Sequence, residues 1–239
     1  MTNNMNRQSE IQNNLSIVQN NIYEAMKDAG RDIHELTLIG VSKYFPASDA
    51  KILYELGVSD LGENRVMELL EKEQILAQER IHPNWHLIGT LQTNKVRMII
   101  GHACLIHSVA SEELIHEIQK RSAAKDLTTE ILLQVNVSGE ESKHGFSPSE
   151  IDRVIEIVNQ CPNILPRGIM TMAPISEKPH AAAPIFAETK ILFDDLASRT
   201  RISEKWNFLS MGMSQDYIDA ILYGSTHIRV GTAIFGHHS

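Results

Sequence analysis

The stretch Thr37-Leu38-Ile39-Gly40-Val41-Ser42-Lys43-Tyr44-Phe45-Pro46 runs from a β-prone apolar segment straight into a turn. That turn separates two folds. An open, doubly wound sheet of the dinucleotide-binding kind carries G-x-G-x-x-G directly after its first strand. Here the corresponding residues, Val41 to Pro46, contain no glycine. Seven more short β-rich runs follow: Val58–Leu61, Trp85–Ile88, Cys104–Val109, Glu130–Val137, Pro166–Met170, Asn207–Ser210 and His227–Val230. Segments of helical period lie between them, and such alternation implies parallel strands joined by crossovers. An open sheet and a closed barrel both fit. The count of eight, the missing glycine turn and a chain of 239 residues, near the usual ~250, favour the barrel. The sequence predicts an α/β fold, a single (β/α)8 TIM-type barrel domain over residues 1–239.

An extra helix within residues 1–30 opens the fold and packs on the barrel. Ile11, Leu15, Val18, Ile22 and Met26 recur at spacings of three and four, and Gly30 follows as a C′ stop. Ser48 is expected to cap a helix ending at Gly57, Asn64 to begin one through Val66, Leu69, Leu70 and Leu76, and Ser111 precedes another with Leu114, Ile115 and Ile118. Ser147, Pro148 and Glu150 read as a capping box before Ile151, Val154, Ile155 and Val158. Pro184–Ser198 is helical, and Ser214 is expected to cap the last helix, which ends at Gly224.

Composition narrows the function classes. The chain is 42% apolar and 22% charged, as expected of a soluble globular protein. With 22 basic and 30 acidic residues it carries −8, which argues against nucleic-acid or anionic-lipid partners. No apolar run reaches the roughly 18 residues of a membrane helix. MTNNMNRQSE lacks the pattern of a secretory signal. Cys104 and Cys161 have no metal or redox spacing and read as buried free thiols of a reducing compartment. A cytoplasmic protein is expected. Eleven histidines include no H-E-x-x-H, so no metal site is assigned.

Active sites of such barrels lie at the C-terminal strand ends. Lys43 directly follows the first apolar run, which puts its amine at the mouth. A partly desolvated amine has a lowered pKa and forms Schiff bases with aldehydes or ketones; a surface lysine in a loop is the alternative. Asn64 ends the second run, His86 lies within the third, and Ser210 ends the seventh. The last segment, Gly224 to Gly236, occupies the recurrent phosphate position of these barrels. There Gly231 offers close backbone approach and Thr232 a hydroxyl, with Ser210 supplying another. Arg229, two residues before Gly231, points the same way. It wants an acceptor such as a ring nitrogen, or forms a rim salt bridge. Met170, Met172, Met211 and Met213 read as packing, and Glu140, Glu141, His237 and His238 as solvated.

Gly40-Val-Ser-Lys43, Leu61-Gly-Glu-Asn64, Trp85-His-Leu-Ile-Gly89, Gln134-Val-Asn136, Ser142-Lys-His-Gly145, Arg167-Gly-Ile-Met170, Leu209-Ser-Met-Gly-Met-Ser214 and Gly224-Ser-Thr with Arg229-Val-Gly-Thr-Ala-Ile-Phe-Gly236 span almost the whole chain. In this order they resemble the pyridoxal phosphate homeostasis proteins, the YggS or proline-synthetase co-transcribed family. The resemblance implies a barrel like the N-terminal domain of alanine racemase, with pyridoxal 5′-phosphate (PLP) at its mouth. It implies an internal aldimine on Lys43, the phosphate on Ser210, Gly231 and Thr232, and Arg229 at the pyridine nitrogen. Asn64 and His86 line the pocket. Many relatives carry a second lysine where this chain has Phe45, whereas Lys143 is retained.

The function that follows is a PLP binder that buffers or delivers the cofactor in vitamin B6 and amino-acid homeostasis, with little or no turnover and no catalytic residue. PLP-dependent apoenzymes are its expected recipients and a monomer its expected state. Two alternatives stand beside it: an amino-acid racemase and a cofactor-free Schiff-base aldolase. Racemases of the related fold draw a tyrosine base from an added β-domain, for which 239 residues leave no room.

Overall fold

The computed structural model describes residues 2–140, 144–176 and 178–237, so Glu141, Lys143 and His238 lie outside the described residues. Its strands are β1 Thr37–Val41, β2 Asp60–Glu63, β3 Asn84–Leu87, β4 Leu105–Val109, β5 Thr129–Gln134, β6 Ile164–Met170, β7 Phe208–Met213 and β8 His227–Val230. They run parallel in sequence order and β8 pairs back onto β1, closing the barrel. All eight expected β-runs are strands of it.

The helices are α1 Thr2–Asp28, α2 Ala47–Glu55, α3 Val66–Gln78, α4 Val96–Ile99, α5 Glu112–Ala124, α6 Ile151–Asn159, α7 Ala183–Ala197, α8 Tyr217–Leu222 and α9 Thr232–Phe235. Helix α1 forms as its period demands. Ile11, Leu15, Val18, Ile22 and Met26 are all buried, each contributing roughly 1.5–3 kcal/mol by leaving water. Its end is a Schellman motif: Gly30 takes φ +65, Gly30 N–H donates to Lys27 O and Arg31 N–H to Met26 O. From there α1 fastens the end of the chain. Asn14 donates to Ile234 O, and Arg7 donates to Asp49 and Phe235 O.

Alternation along the strands sorts the two faces. A Cβ at Gly40 would lie 2.2 Å from the Leu53 side chain of α2, so Gly40 faces the helices. Ile39 then faces inward, and its register partner is Arg229. The helix-facing layer is apolar: Leu53, Leu61, Leu69, Leu76, Ile115 and Ile118 are buried there. The inward face is different. Leu105, Leu132, Met170 and Phe208 form a small apolar cluster, and beside it lie buried His86, His107, Ser210, His227 and Arg229. Barrel interiors of this kind are dominated by branched apolar side chains. This one is strongly polar.

Several local expectations change. Helix α2 begins at Ala47 behind Pro46, so Ser48 lies in the first turn and caps nothing. Ser111 caps α5, accepting from Leu114 N–H. Glu150 accepts both the N–H and the hydroxyl of Ser147, which occupies that hydroxyl and delays α6 to Ile151. Cys104 is exposed rather than buried, while Cys161 is buried; both are free. Strand β7 does not stop at Ser210 but continues to Met213. Gly212 makes this continuation: at φ +96 it carries the register shift between Ser210 and Met213. Its bare α-carbon also packs on α8, where a Cβ would lie 2.6 Å from Ala220 Cβ.

Candidate functional site at the barrel mouth

Strand β1 delivers Lys43 to the mouth. Ser42 turns outward and donates to Glu63 Oε1 at 2.6 Å. Lys72 of α3 donates to Ser42 O at 2.7 Å and to Glu63. This buried clamp fixes the strand end one residue before Lys43. Tyr44 then takes φ +70, a left-handed turn that a bulky residue rarely adopts, and Phe45 N–H closes onto Ser42 O. The half-buried Lys43 puts its Nζ 5.7 Å from the Tyr44 ring centre. Among the described residues it has no hydrogen-bond or ion-pair partner.

Strand β8 delivers a second feature beside it. Gly231 N–H and Ala233 N–H, at the start of α9, converge on Ser214 Oγ at 3.1 and 3.2 Å. Two donors aimed at one oxygen suit a phosphate oxygen, and the Ser214 hydroxyl marks the place. A side chain at Gly231 would be crowded: a Cβ would lie 3.1 Å from Val41 O. That closeness sets the donor pair two residues from Lys43 along the β1–β8 seam. Thr232 is exposed at the same turn. Asn64 is half-buried after β2, and Gly89 admits its backbone, since a Cβ there would lie 2.4 Å from Asn64 O.

Below this rim Arg229 is buried at 4% exposure. Its guanidinium donates to Ser210 Oγ and, at 2.9 Å, to Thr171 O. No carboxylate bonds to it among the described residues, so the rim salt bridge does not form. Burial draws its pKa down to about 10, with Asp216 opposing. Ser210 is therefore an interior residue and Ser214 the hydroxyl at the N–H pair, reversing the expected roles of strand end and helix cap. His86 is also interior. Its Nε2 lies 3.0 Å from Asp60, the first residue of β2, and its Nδ1 3.0 Å from His107 Nε2.

Residues 14–239 match the family described as alanine racemase, N-terminal domain. A pyridoxal phosphate homeostasis protein of Aquifex aeolicus (strain VF5) is 38% identical over 222 residues, 93% of this chain and 96% of that protein. The chain belongs to the pyridoxal phosphate homeostasis family. Among solved structures, an unknown protein from Bifidobacterium adolescentis is similar with a TM-score of 0.90 and 33% identity over 96% of each chain. PipY of Synechococcus elongatus PCC7942 with PLP bound gives 0.79 and 30% over 90% of this chain and 100% of that one.

In this member of the pyridoxal phosphate homeostasis family Phe45 is a packing residue. Its ring stacks on Phe235 at 5.1 Å, with the Arg7 guanidinium 5.3 Å above it. Ser214 reads from sequence as a helix cap, and no motif singles out His107. His107 sits inside Leu105-Ile106-His107-Ser108-Val109, which reads as plain core strand. The available signal was alternation: His86, His107 and His227 fall on inward positions of three strands. Among the described residues no group of three or more His, Cys, Asp or Glu side chains could hold a metal ion, and no helix is long and apolar enough to cross a membrane.

Proposed function

We propose that this protein binds PLP at the barrel mouth and buffers or delivers it, with little turnover of its own. One observation carries the reading. Closure of β8 onto β1 sets the strand end that carries Lys43 beside two N–H groups converging on Ser214 Oγ. In this reading Lys43 Nζ attaches the cofactor covalently. Gly231, Ala233, Ser214 and Thr232 hold its phosphate, Asn64 lines the pocket, and Arg229 faces its ring nitrogen. Family membership and the PLP-bound PipY structure support the ligand.

Bound PLP supplies an electron sink whose strength follows the protonation of its ring nitrogen. Arg229 is a donor only. Its bonding partners, Ser210 Oγ and Thr171 O, are neutral, so its positive charge stays unpaired and opposes a proton on that nitrogen. A weak sink favours a carrier over a racemase. We take a monomeric single domain as the working unit. Free cysteines fit a cytoplasmic setting, with PLP-dependent apoenzymes as recipients.

The test is a visible spectrum of the purified protein followed by borohydride reduction and intact mass. We expect a visible band that bleaches and one reduced PLP adduct, mapped to Lys43. A colourless protein that takes up no PLP overturns the reading and favours the cofactor-free aldolase. Alanine racemisation at several turnovers per second, in the range of ordinary enzymes, favours the racemase.

A further inference from the structure

Beneath the mouth a line of polar side chains crosses the barrel from Arg229 to its floor. Arg229 donates to Ser210 Oγ. Ser210 Oγ is 2.9 Å from His107 Nδ1, His107 Nε2 is 3.0 Å from His86 Nδ1, and His86 Nε2 is 3.0 Å from Asp60 Oδ1. The first four are all but inaccessible. Asp60 opens into a cleft of about 460 Å³ at the N-terminal end of the barrel, between α1 and the strand starts. Buried polar groups cost several kcal/mol unless each finds a partner, and here each one does.

The two ends fix every proton between them. Arginine only donates and an ionised carboxylate only accepts. Ser210 Oγ accepts from Arg229, and its one hydrogen has a single further acceptor among the described residues, His107 Nδ1. His107 therefore carries its proton on Nε2 and donates to His86 Nδ1. His86 in turn carries its proton on Nε2 and donates to Asp60. The opposite direction would strand the buried Ser210 hydrogen with no acceptor. Burial works to raise the Asp60 carboxyl, but the hydrogen bond and electrostatics of His86, with bonds from Ser59 and Asn84, leave it below its usual range. Burial, then His86, Arg229 and His227, keeps His107 well below the ordinary histidine range and so neutral.

We propose that Ser210, His107 and His86 are positioning residues for Arg229, and that Asp60 sets the direction of the relay from the barrel floor. The relay holds the guanidinium through neutral acceptors, where a carboxylate would cancel its charge. The carboxylate that orders the chain stands three side chains away, Ser210, His107 and His86. The other groups facing the relay are few. The His227 ring lies 6.3 Å from both histidine rings, Cys104 Sγ lies 3.6 Å from His86 Nε2, and Arg167 and Asp216 act only through their charge. The consequence for the ring nitrogen rests on the PLP reading; the relay itself does not.

The test begins with long-range proton–nitrogen spectra of the histidine rings at pH 8, with and without PLP, assigned through single histidine variants. Both His86 and His107 are expected as Nε2–H tautomers; His107 as the Nδ1–H form overturns the relay. The second arm compares Asp60→Leu with Asp60→Asn, a floor position outside the core. Asparagine keeps an acceptor and should preserve the tautomers and PLP affinity. Leucine should scramble the His86 tautomer, weaken PLP by about tenfold, one lost hydrogen bond to a charged group, and shift the visible band. Wild-type behaviour in both variants overturns the proposal. Failure of wild-type protein to bind PLP defeats the functional reading alone, since the tautomers still decide the relay.

Discussion

Two buried polar systems flank the mouth, and they are built on opposite principles. Between sheet and helices, the Ser42–Glu63–Lys72 clamp is ionic and short, and it leaves Glu63 Oε2 without a partner. Inside the barrel, the Asp60-to-Arg229 line is longer, carries its charges only at its ends, and gives each residue along it a partner. The clamp holds a backbone: it pins β1 one residue before Lys43. The relay holds a side chain. A backbone can be gripped by a charged pair whose desolvation is costly, because strand pairing shares the load. A single guanidinium has no such help, so its position rests on its acceptors, Ser210 Oγ and Thr171 O.

The comparison breaks first at the residue the clamp serves. Lys43→Ala should abolish the reducible PLP adduct entirely while the circular dichroism spectrum of the barrel remains. A wild-type adduct mapped to Lys95 would show that the clamp supports no chemistry at Lys43. Next comes the clamp itself. Lys72→Met leaves the buried Glu63 carboxylate uncompensated and should cost about 3–5 kcal/mol in urea unfolding. Lys72→Met with Glu63→Leu should recover most of that loss, because an apolar pair replaces a desolvated ionic one. If the double variant is as unstable as the single, the clamp is a packing device and not an electrostatic one.

A smaller effect separates the rim from both systems. Removing the Thr232 or the Ser214 hydroxyl deletes one hydrogen bond to a charged group, about 1.5–3 kcal/mol, or roughly ten- to a hundredfold in PLP affinity. Free pyridoxal, which lacks the phosphate, should bind both variants as it binds wild type. Equal loss for PLP and pyridoxal would move those hydroxyls away from the phosphate.

The sequence made some of this legible and hid the rest for physical reasons. Strands announced themselves because each helix-facing side is apolar, and Lys43 and Gly231 could be placed from strand ends alone. The seventh run reads as ending at Ser210, but Gly212, left-handed at the register shift, carries β7 on to Met213. The continued strand leaves Ser210 inside the barrel and brings Ser214 to the N–H pair. Asp60 was equally hidden, since nothing in Ser59-Asp60-Leu61 reveals that a histidine from the next strand, His86, reaches back to it. Bulges and cross-strand partners are tertiary facts, and no local pattern encodes them.

The smallest effect per step distinguishes interior from clamp by pH. Burial, then the neighbouring His86, holds His227 down at about 3 against an ordinary 6.5, with Asp60 opposing, and His107 is lowered by the same kind of burial. Below pH 6.5 the unfolded chain binds protons at these two sites and the native protein does not. Unfolding is then favoured as pH falls, by about 1.4 kcal/mol per pH unit for each histidine. Glu63 works the other way. Burial raises its carboxyl above its usual range, so its contribution is fully present in acid and fades as pH rises. Stability should therefore fall gently as pH drops from 6.5 towards 4.5, where Glu63 offsets part of the histidine slope, and more steeply below 4.5, where the Glu63 contribution is fully present and adds no further change. Urea midpoints across that range measure the slope, and His227→Phe should remove about half of the histidine part whatever it does to stability at pH 8. A slope untouched by that substitution would mean that His227 is protonated in the native barrel, and that the interior tolerates a charge the clamp must pair.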